Sequence, residues 1–353
     1  VPQRVLCVTA ETKVCEETRY LVRLVGGLRG RGHEVLCFVP EGGSRVAEAL
    51  AARRWWGLGG RLGRLLFQGE WVRVAADFQP TVIHACGWRA LGPARVLAAA
   101  LAVPCVVSLF EVPKRRLAVG APAAFAVTHA ELAEGLRARL PGGGGHVEVV
   151  VPGVRVPEEQ EAPDEDDRLP VVGTVTELQT TSEVELLFRA ARLLQEQGVR
   201  CEYVVMGEGA QEHRLRGLAR RLGIRTQTNF LSPMLDPEPV LAEMDVVVVL
   251  AQHRLRLVSI LEAQAVGTPV LAASVPGVEE FVEDGVSGRL LAEATPAGLA
   301  RLLRELLEDH ELRRSLAERA RRRVRRLASL EKMLGVVEAL YEVVAAGPEG
   351  ETP

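Results

Sequence analysis

The sequence predicts an α/β protein made of two doubly wound, Rossmann-like parallel-sheet domains that face a central cleft. Three observations predict it. The chain has 353 residues, more than one hydrophobic core usually serves, so two domains of roughly 150 to 200 residues are expected. Short β-branched runs alternate with longer amphipathic stretches, the rhythm of βα units and a parallel sheet. That series stops at VPEEQEAPDEDDR, from Val156 to Arg168, and then starts again.

In the first half the strands are RVLCVTA from Arg4, EVLCFVP from Glu34, TVIHA from Thr81, CVVSLF from Cys105, AFAVTH from Ala124 and VEVVVPG from Val147. Each is too short and too apolar to be a surface hairpin. The second series runs LPVVGTV from Leu169, CEYVVMG from Cys201, TNFLSP from Thr228, DVVVVLA from Asp245, TPVLAAS from Thr268 and GRLLAE from Gly288. The segment between them is rich in carboxylates and proline and has no apolar periodicity, which marks a linker. The domain boundaries are therefore 1–155, an acidic linker at 156–168, and 169–330. Residues 331–353 form a C-terminal helix and tail, with the helix free to pack back on the first domain. The stretch from Glu311 to Val344 reads as one long amphipathic element or as two joined near Ala328. In doubly wound domains ligands bind at the carboxyl ends of the strands, so a cleft enzyme is the default expectation.

Composition narrows the function. With 43 basic and 46 acidic residues the net charge is −3, and nothing global draws the protein to nucleic acid. The six cysteines lack the CxxC spacing of zinc sites and mostly sit in apolar strand-like runs, as buried thiols in a reducing compartment do. The longest apolar run, Val96 to Phe110, is interrupted by Pro104 and falls short of the ~20 residues a spanning helix needs. No basic region followed by an apolar core stands at Val1, so no secretory signal is expected. The expected location is cytoplasmic.

Several segments then fall in one order along nearly the whole chain. The first half carries ETRYLVRLVGGLRGRGHEV from Glu17, PTVIHACGW from Pro80 and VEVVVPGV from Val147. The second carries GTVTELQ, VVMGEGAQEHRLRGLARRLGI, FLSP, the block from Leu257 to Leu291, and SLEKMLGVVEALY. Together they resemble the family-4 glycosyltransferases, which have the GT-B fold. The resemblance implies transfer of a hexose from a nucleotide diphosphate sugar to a hydroxyl acceptor, a glycan or a lipid-linked one. It further implies retention of anomeric configuration, no metal and no cofactor besides the donor substrate.

The resemblance assigns the donor site to the second half. Glu262 would accept hydrogen bonds from two adjacent ribose hydroxyls, as a carboxylate can; the alternative is a helix N-terminal Glu that stabilises the macrodipole. Gly207 and Gly209, directly after a strand, would let the backbone approach the nucleotide, since glycine lacks a Cβ; a GxG alone is otherwise a tight turn. Gly277 and Glu280 resemble the family's loop beside the donor sugar, where amides at a helix start can meet a diphosphate. Glu280 could equally cap that helix.

Several charged positions depart from the family pattern. Members usually carry an Arg and a Lys in the first loop of the second domain; here Thr174 stands at the Arg position and Gln179 or Thr180 near the Lys position. The first Glu of the Glu-x7-Glu motif is Arg254. The first loop of the chain lacks paired glycines, though Lys13 offers a cation there. Phe110 replaces a strand-end His, with Glu111 beside it, and PGV after Val151 lacks the usual Asn. His84 is retained, either as a packed structural residue or as a group lining the acceptor side with Lys13 and Glu111. The expected catalytic positions are thus His84, Arg254 and Glu262.

A nucleotide diphosphate brings about two negative charges, and each charge-assisted contact contributes about 1.5–3 kcal/mol. Two uncompensated losses would remove about two to four decades of affinity or rate. Relocated cations offer a remedy: Arg254 and Arg256 enter the loop beside Glu262, and Lys114, Arg115 and Arg116 follow Phe110. Without it, the chain would be a pseudo-enzyme that binds a nucleotide or a partner. An oxidoreductase is a poor third, because no GxGxxG follows the first strand.

One further segment, Arg53 to Arg73, interleaves five arginines with Trp55, Trp56, Phe67 and Trp71. It admits two assignments: a peripheral contact with the inner face of a membrane, or an ordinary core-facing helix with a solvated basic face. The arginines from Arg313 to Arg326 are mixed with Glu311 and Glu318 and are expected on a solvated helix face.

Overall fold

The computed structural model describes residues 2–55, 60–113, 124–140, 145–157 and 168–346, with the side chains of 44, 54–55 and 60–68 outside the description. The chain divides into two compact units, Val1–Gly153 with Leu330–Pro353, and Val154–Ser329. Most of the acidic segment at 156–168 lies outside the described residues.

The first unit holds a seven-stranded parallel sheet. Its strands are β1 (Arg4–Thr9), β2 (Glu34–Pro40), β3 (Arg53–Trp55), β4 (Val82–Cys86), β5 (Cys105–Leu109), β6 (Ala124–Val127) and β7 (His146–Val149). They lie in the order β3-β2-β1-β4-β5-β6-β7. Between them run α1 (Glu16–Gly30), α2 (Ser44–Ala49), α3 (Gly60–Phe78), α4 (Leu91–Leu101) and α5 (Ala130–Arg137). β4 and β5 are buried along their whole length, because crossover helices cover both faces of a parallel sheet. That is why these runs are apolar without alternation.

The segment from Arg53 to Arg73 is not one element: it begins as β3 and continues into α3. β3 pairs with β2 in the register Phe38↔Arg53. At the far end, Trp71 packs on the first unit's core, its ring 6.5 Å from that of Phe38. Trp71 thus follows the core assignment, whereas the side chains of Trp55, Trp56 and Phe67 lie outside the described residues.

The second unit holds β8 (Val171–Val175), β9 (Glu202–Met206), β10 (Thr228–Leu231), β11 (Val246–Val249), β12 (Val270–Ala273) and β13 (Arg289–Leu291). Their order is β10-β9-β8-β11-β12-β13, all parallel. Its helices are α6 (Ser182–Glu196), α7 (Glu212–Arg221), α8 (Glu238–Ala242), α9 (Leu257–Val266), α10 (Pro296–Glu308) and α11 (His310–Leu327). Side chains set the starts of the last two. The Thr295 hydroxyl accepts from the Gly298 amide at 3.1 Å, with Pro296 opening α10, and the Asp309 carboxylate accepts from the Leu312 amide at 2.9 Å. Such caps satisfy amides that have no partner inside the helix.

After Ser329 the chain leaves the second unit, and α12 (Leu330–Ala346) belongs to the first, where it packs on α1. The long C-terminal stretch is therefore two helices. Arg313 departs from the expected solvated face: it is buried and donates to the carbonyls of Leu306 and Leu307 at the end of α10. Among the described residues no helix is long and apolar enough to cross a membrane.

Candidate functional site

In each sheet the strand order reverses once, between β1 and β4 in the first unit and between β8 and β11 in the second. Loops diverge at such a point and leave a crevice at the carboxyl ends of the strands. In the second unit the loops concerned follow β8 and β11, and they bring four charged side chains together. The Arg254 guanidinium donates to Glu177 Oε1 at 2.9 Å. Arg256 lies 3.5 Å from Glu183 and 3.9 Å from Glu177. The Thr176 hydroxyl donates to the other oxygen of Glu183 at 2.8 Å.

Burial distinguishes the two arginines. The Arg256 side chain is 8% exposed and directly precedes α9, whereas that of Arg254 is 23% exposed and that of Glu177 42%. A half-exposed carboxylate contributes little as a fixed ion-pair partner, so Glu177 can move into solvent at low cost and leave the guanidinium to another anion. The expected relocation of cations to Arg254 and Arg256 thus has a geometric counterpart. Glu177 and Glu183 were not legible as their partners, although both lie in or beside the GTVTELQ segment.

Thr174 is buried inside β8, at 3% exposure, and Gln179 is exposed on the loop beyond it. Neither presents a cation. Gly207 and Gly209 serve the protein's own backbone: a Cβ on Gly207 would stand 1.8 Å from the Thr176 carbonyl oxygen, and one on Gly209 2.2 Å from that of Leu178. The loops after β8 and β9 are laced together here, with the Leu178 amide donating to the Glu208 carbonyl and the Gln211 amide to that of Leu178. These glycines therefore shape the crevice wall, and the close approach they permit is between two segments of the chain.

Glu262 occupies the sixth position of α9 and is fully buried. The macrodipole alternative fails, because that stabilisation is confined to the first turn and no acidic residue stands there. A ligand would reach this carboxylate only after its side chain turns. Gly277 has φ 82°, the left-handed conformation that glycine tolerates, and leads into a short turn, Val278–Glu280. The Glu280 carbonyl accepts from Arg323 at 2.8 Å, which ties that turn to α11.

In the first unit Lys13 is exposed and Glu111 half-buried. His84 is fully buried, with Nδ1 2.6 Å from the Tyr341 hydroxyl and Nε2 2.8 Å from that of Ser108. Ser108 in turn meets the Tyr20 hydroxyl at 3.0 Å. Burial pushes the His84 pKa down from 6.5 to about 4, so the ring is neutral at physiological pH. With both nitrogens hydrogen-bonded and no exposed surface, His84 is packed in the interior of the first unit. Phe110 packs edge-on to Tyr20, ring centres 5.2 Å apart, on the same buried network. Among the described residues no group of three or more His, Cys, Asp and Glu side chains converges as metal ligands would.

The second unit and the first match different family models. Residues 156–323 match the model for glycosyl transferases group 1, and residues 18–118 match that for glycosyltransferase family 4. The chain belongs to the family-4 glycosyltransferases. Among curated family relatives, a D-inositol 3-phosphate glycosyltransferase of Salinispora arenicola is 41% identical over 135 residues, 37% of this chain and 30% of that protein. The lipopolysaccharide core biosynthesis glycosyltransferase LpsE of Rhizobium meliloti is 31% identical over 144 residues, 41% of this chain and 42% of its own length. These matches take in less than half of either relative.

Likeness of fold extends over nearly the whole chain in solved structures. HepE from Anabaena, solved with UDP and glucose, superposes with a TM-score of 0.80 at 18% identity, covering 96% of this chain and 99% of HepE. Sucrose-phosphate synthase of Thermosynechococcus elongatus gives 0.75 at 16% identity, covering 98% and 100%. Likeness at such low identity establishes the GT-B fold.

Proposed function

We propose that this family-4 member transfers a hexosyl group from a nucleotide diphosphate sugar to a hydroxyl acceptor, with retention at the anomeric carbon. The observation that carries the proposal is the pair of guanidiniums, Arg254 and Arg256, at the switch point of the second unit. In the reaction the bond from the anomeric carbon to the diphosphate breaks and the acceptor oxygen bonds to that carbon. The acceptor's proton passes to the departing diphosphate, which leaves with the nucleoside. Negative charge grows on the departing phosphate, and preorganised donors aimed at such charge lower the barrier. Arg254 exchanges Glu177 for the diphosphate, Arg256 supplies a second fixed charge, and Glu262 turns to accept from the ribose hydroxyls. Fixed cations in these places do the work that a metal ion does in other transferases, and the donor is the only small molecule required. A glycan or lipid-linked alcohol in the cytoplasm is the acceptor class in view.

A second assignment, a nucleotide-binding protein without transfer, is favoured by one observation: Arg254 stands where the family places a carboxylate and is already paired with Glu177. Replacing Glu262 tests the shared part of both. Glu262→Ala is expected to weaken nucleotide binding by about 1–3 kcal/mol, since it leaves ribose donors without an acceptor. An unchanged dissociation constant in calorimetry would remove Glu262 from the site.

A further inference from the structure

Helix α11 carries a concentration of charge that the proposed transfer site does not use. From Arg319 to Arg326, six of eight residues are arginine and none is acidic. Three of the six are tied to backbone carbonyls. Arg321 and Arg325 donate to the Pro157 carbonyl, and Arg323 donates to the Glu280 carbonyl while its guanidinium lies 3.8 Å from Glu283. Arg319, Arg322 and Arg326 are all exposed on the helix.

These three, together with Arg323, line a concave pocket of about 220 Å³ whose opposite wall is the loop at Glu283 and Ser287. The loop is a built wall. The Glu283 amide donates to the Ser287 hydroxyl at 3.0 Å, and the amides of Val286 and Ser287 return to the Glu283 carbonyl. Within the helix, Arg319 with Arg323 and Arg322 with Arg326 are like-charged pairs four residues apart, which destabilise a helix in the absence of an anion. Among the described residues Glu283 is the single carboxylate lining the pocket; Glu318, outside it, lies 4.0 Å from Arg322.

From this geometry we propose a second anion-binding site, between α11 and the 283–287 loop, that takes a phosphate group. The guanidinium forks of Arg319, Arg322 and Arg326 match phosphate oxygens in pairs. The concavity suits a discrete phosphate, which a flat basic surface would not distinguish from diffuse negative charge. The group is carried by a soluble phosphorylated molecule or by a phosphomonoester lipid headgroup, and the two sources share this chemistry.

The test uses the full chain carrying Arg254→Glu, so that the switch-point arginine does not contribute, with and without Arg319→Ala, Arg322→Ala and Arg326→Ala together. Arg323 stays, because it holds the Glu280 carbonyl. One arm titrates inorganic pyrophosphate by calorimetry. The other measures co-sedimentation with phosphatidic acid vesicles, with and without competing pyrophosphate. The triple substitution is expected to weaken pyrophosphate binding at least tenfold, or to abolish sedimentation that pyrophosphate competes away, while the Arg→Lys triple, which keeps the charge and loses the paired donors, restores only part of the binding. Pyrophosphate binding alone assigns a soluble ligand, and competed sedimentation assigns a headgroup. Binding in neither arm, or binding that the triple substitution leaves unaltered, overturns the proposal.

Discussion

Arg254→Glu is expected to lower affinity for a nucleoside diphosphate by about two to three decades. The substitution removes one charge-assisted contact, about 1.5–3 kcal/mol, and sets a carboxylate beside the incoming phosphates and beside Glu177, which now lies 2.9 Å from the guanidinium. At about 1.4 kcal/mol per decade, contact loss gives one to two decades and repulsion supplies the rest. Glu177→Gln should act in the opposite sense, because it removes the internal anion that the diphosphate must displace. A double-mutant cycle separates this from independent effects: in an Arg254→Ala background Glu177→Gln should gain much less. Thr174 offers no place to restore the missing family arginine, since it is enclosed within β8. If Arg254→Glu instead left binding unaltered or created transferase activity, Arg254 would be a disabled catalytic position and the protein a non-transferring nucleotide binder.

The second large effect concerns stability and pH in the first unit. His84 is neutral when folded, with its pKa lowered to about 4 by burial from an ordinary 6.5. Between those two values the unfolded chain binds a proton that the folded chain does not, so stability falls as pH falls from about 6.5 to about 4. Above 6.5 neither state is protonated and the dependence vanishes. The full contribution lost across that window is on the order of 3 kcal/mol. All four tryptophans, at 55, 56, 71 and 88, lie in the first unit, so tryptophan fluorescence follows that unit through urea unfolding. His84→Gln should be less stable at pH 7, since it disturbs a buried chain of four side chains, and should show a shallower pH slope between 6.5 and 4. Equal slopes in wild type and variant would remove His84 as the titrating group.

Much of the fold was legible because strand runs such as TVIHA and DVVVVLA are apolar throughout, which only a sheet covered on both faces explains. Near Ala328 the sequence left one long helix or two open, and the structure has two; most of the acidic stretch after Val156 lies outside the described residues. The site was less legible, because its partners are remote in sequence. Arg254 and Glu177 stand 77 residues apart, and His84 meets Tyr341 from 257 residues away. Periodicity carries no information on such pairs. The glycines of MGEGA illustrate a subtler limit: the sequence marks a close backbone approach, but only the fold tells that the approaching segment is the loop at Thr176 and Leu178.

The central claim, that Arg254 and Arg256 hold a nucleotide diphosphate sugar in the second unit, is tested most directly by calorimetry of the wild-type chain against UDP, GDP and ADP sugars. The account predicts saturable binding of at least one of them, and loss of that binding in Arg254→Glu. Failure of every donor in the panel to bind the wild-type chain, or binding that survives Arg254→Glu undiminished, would contradict it.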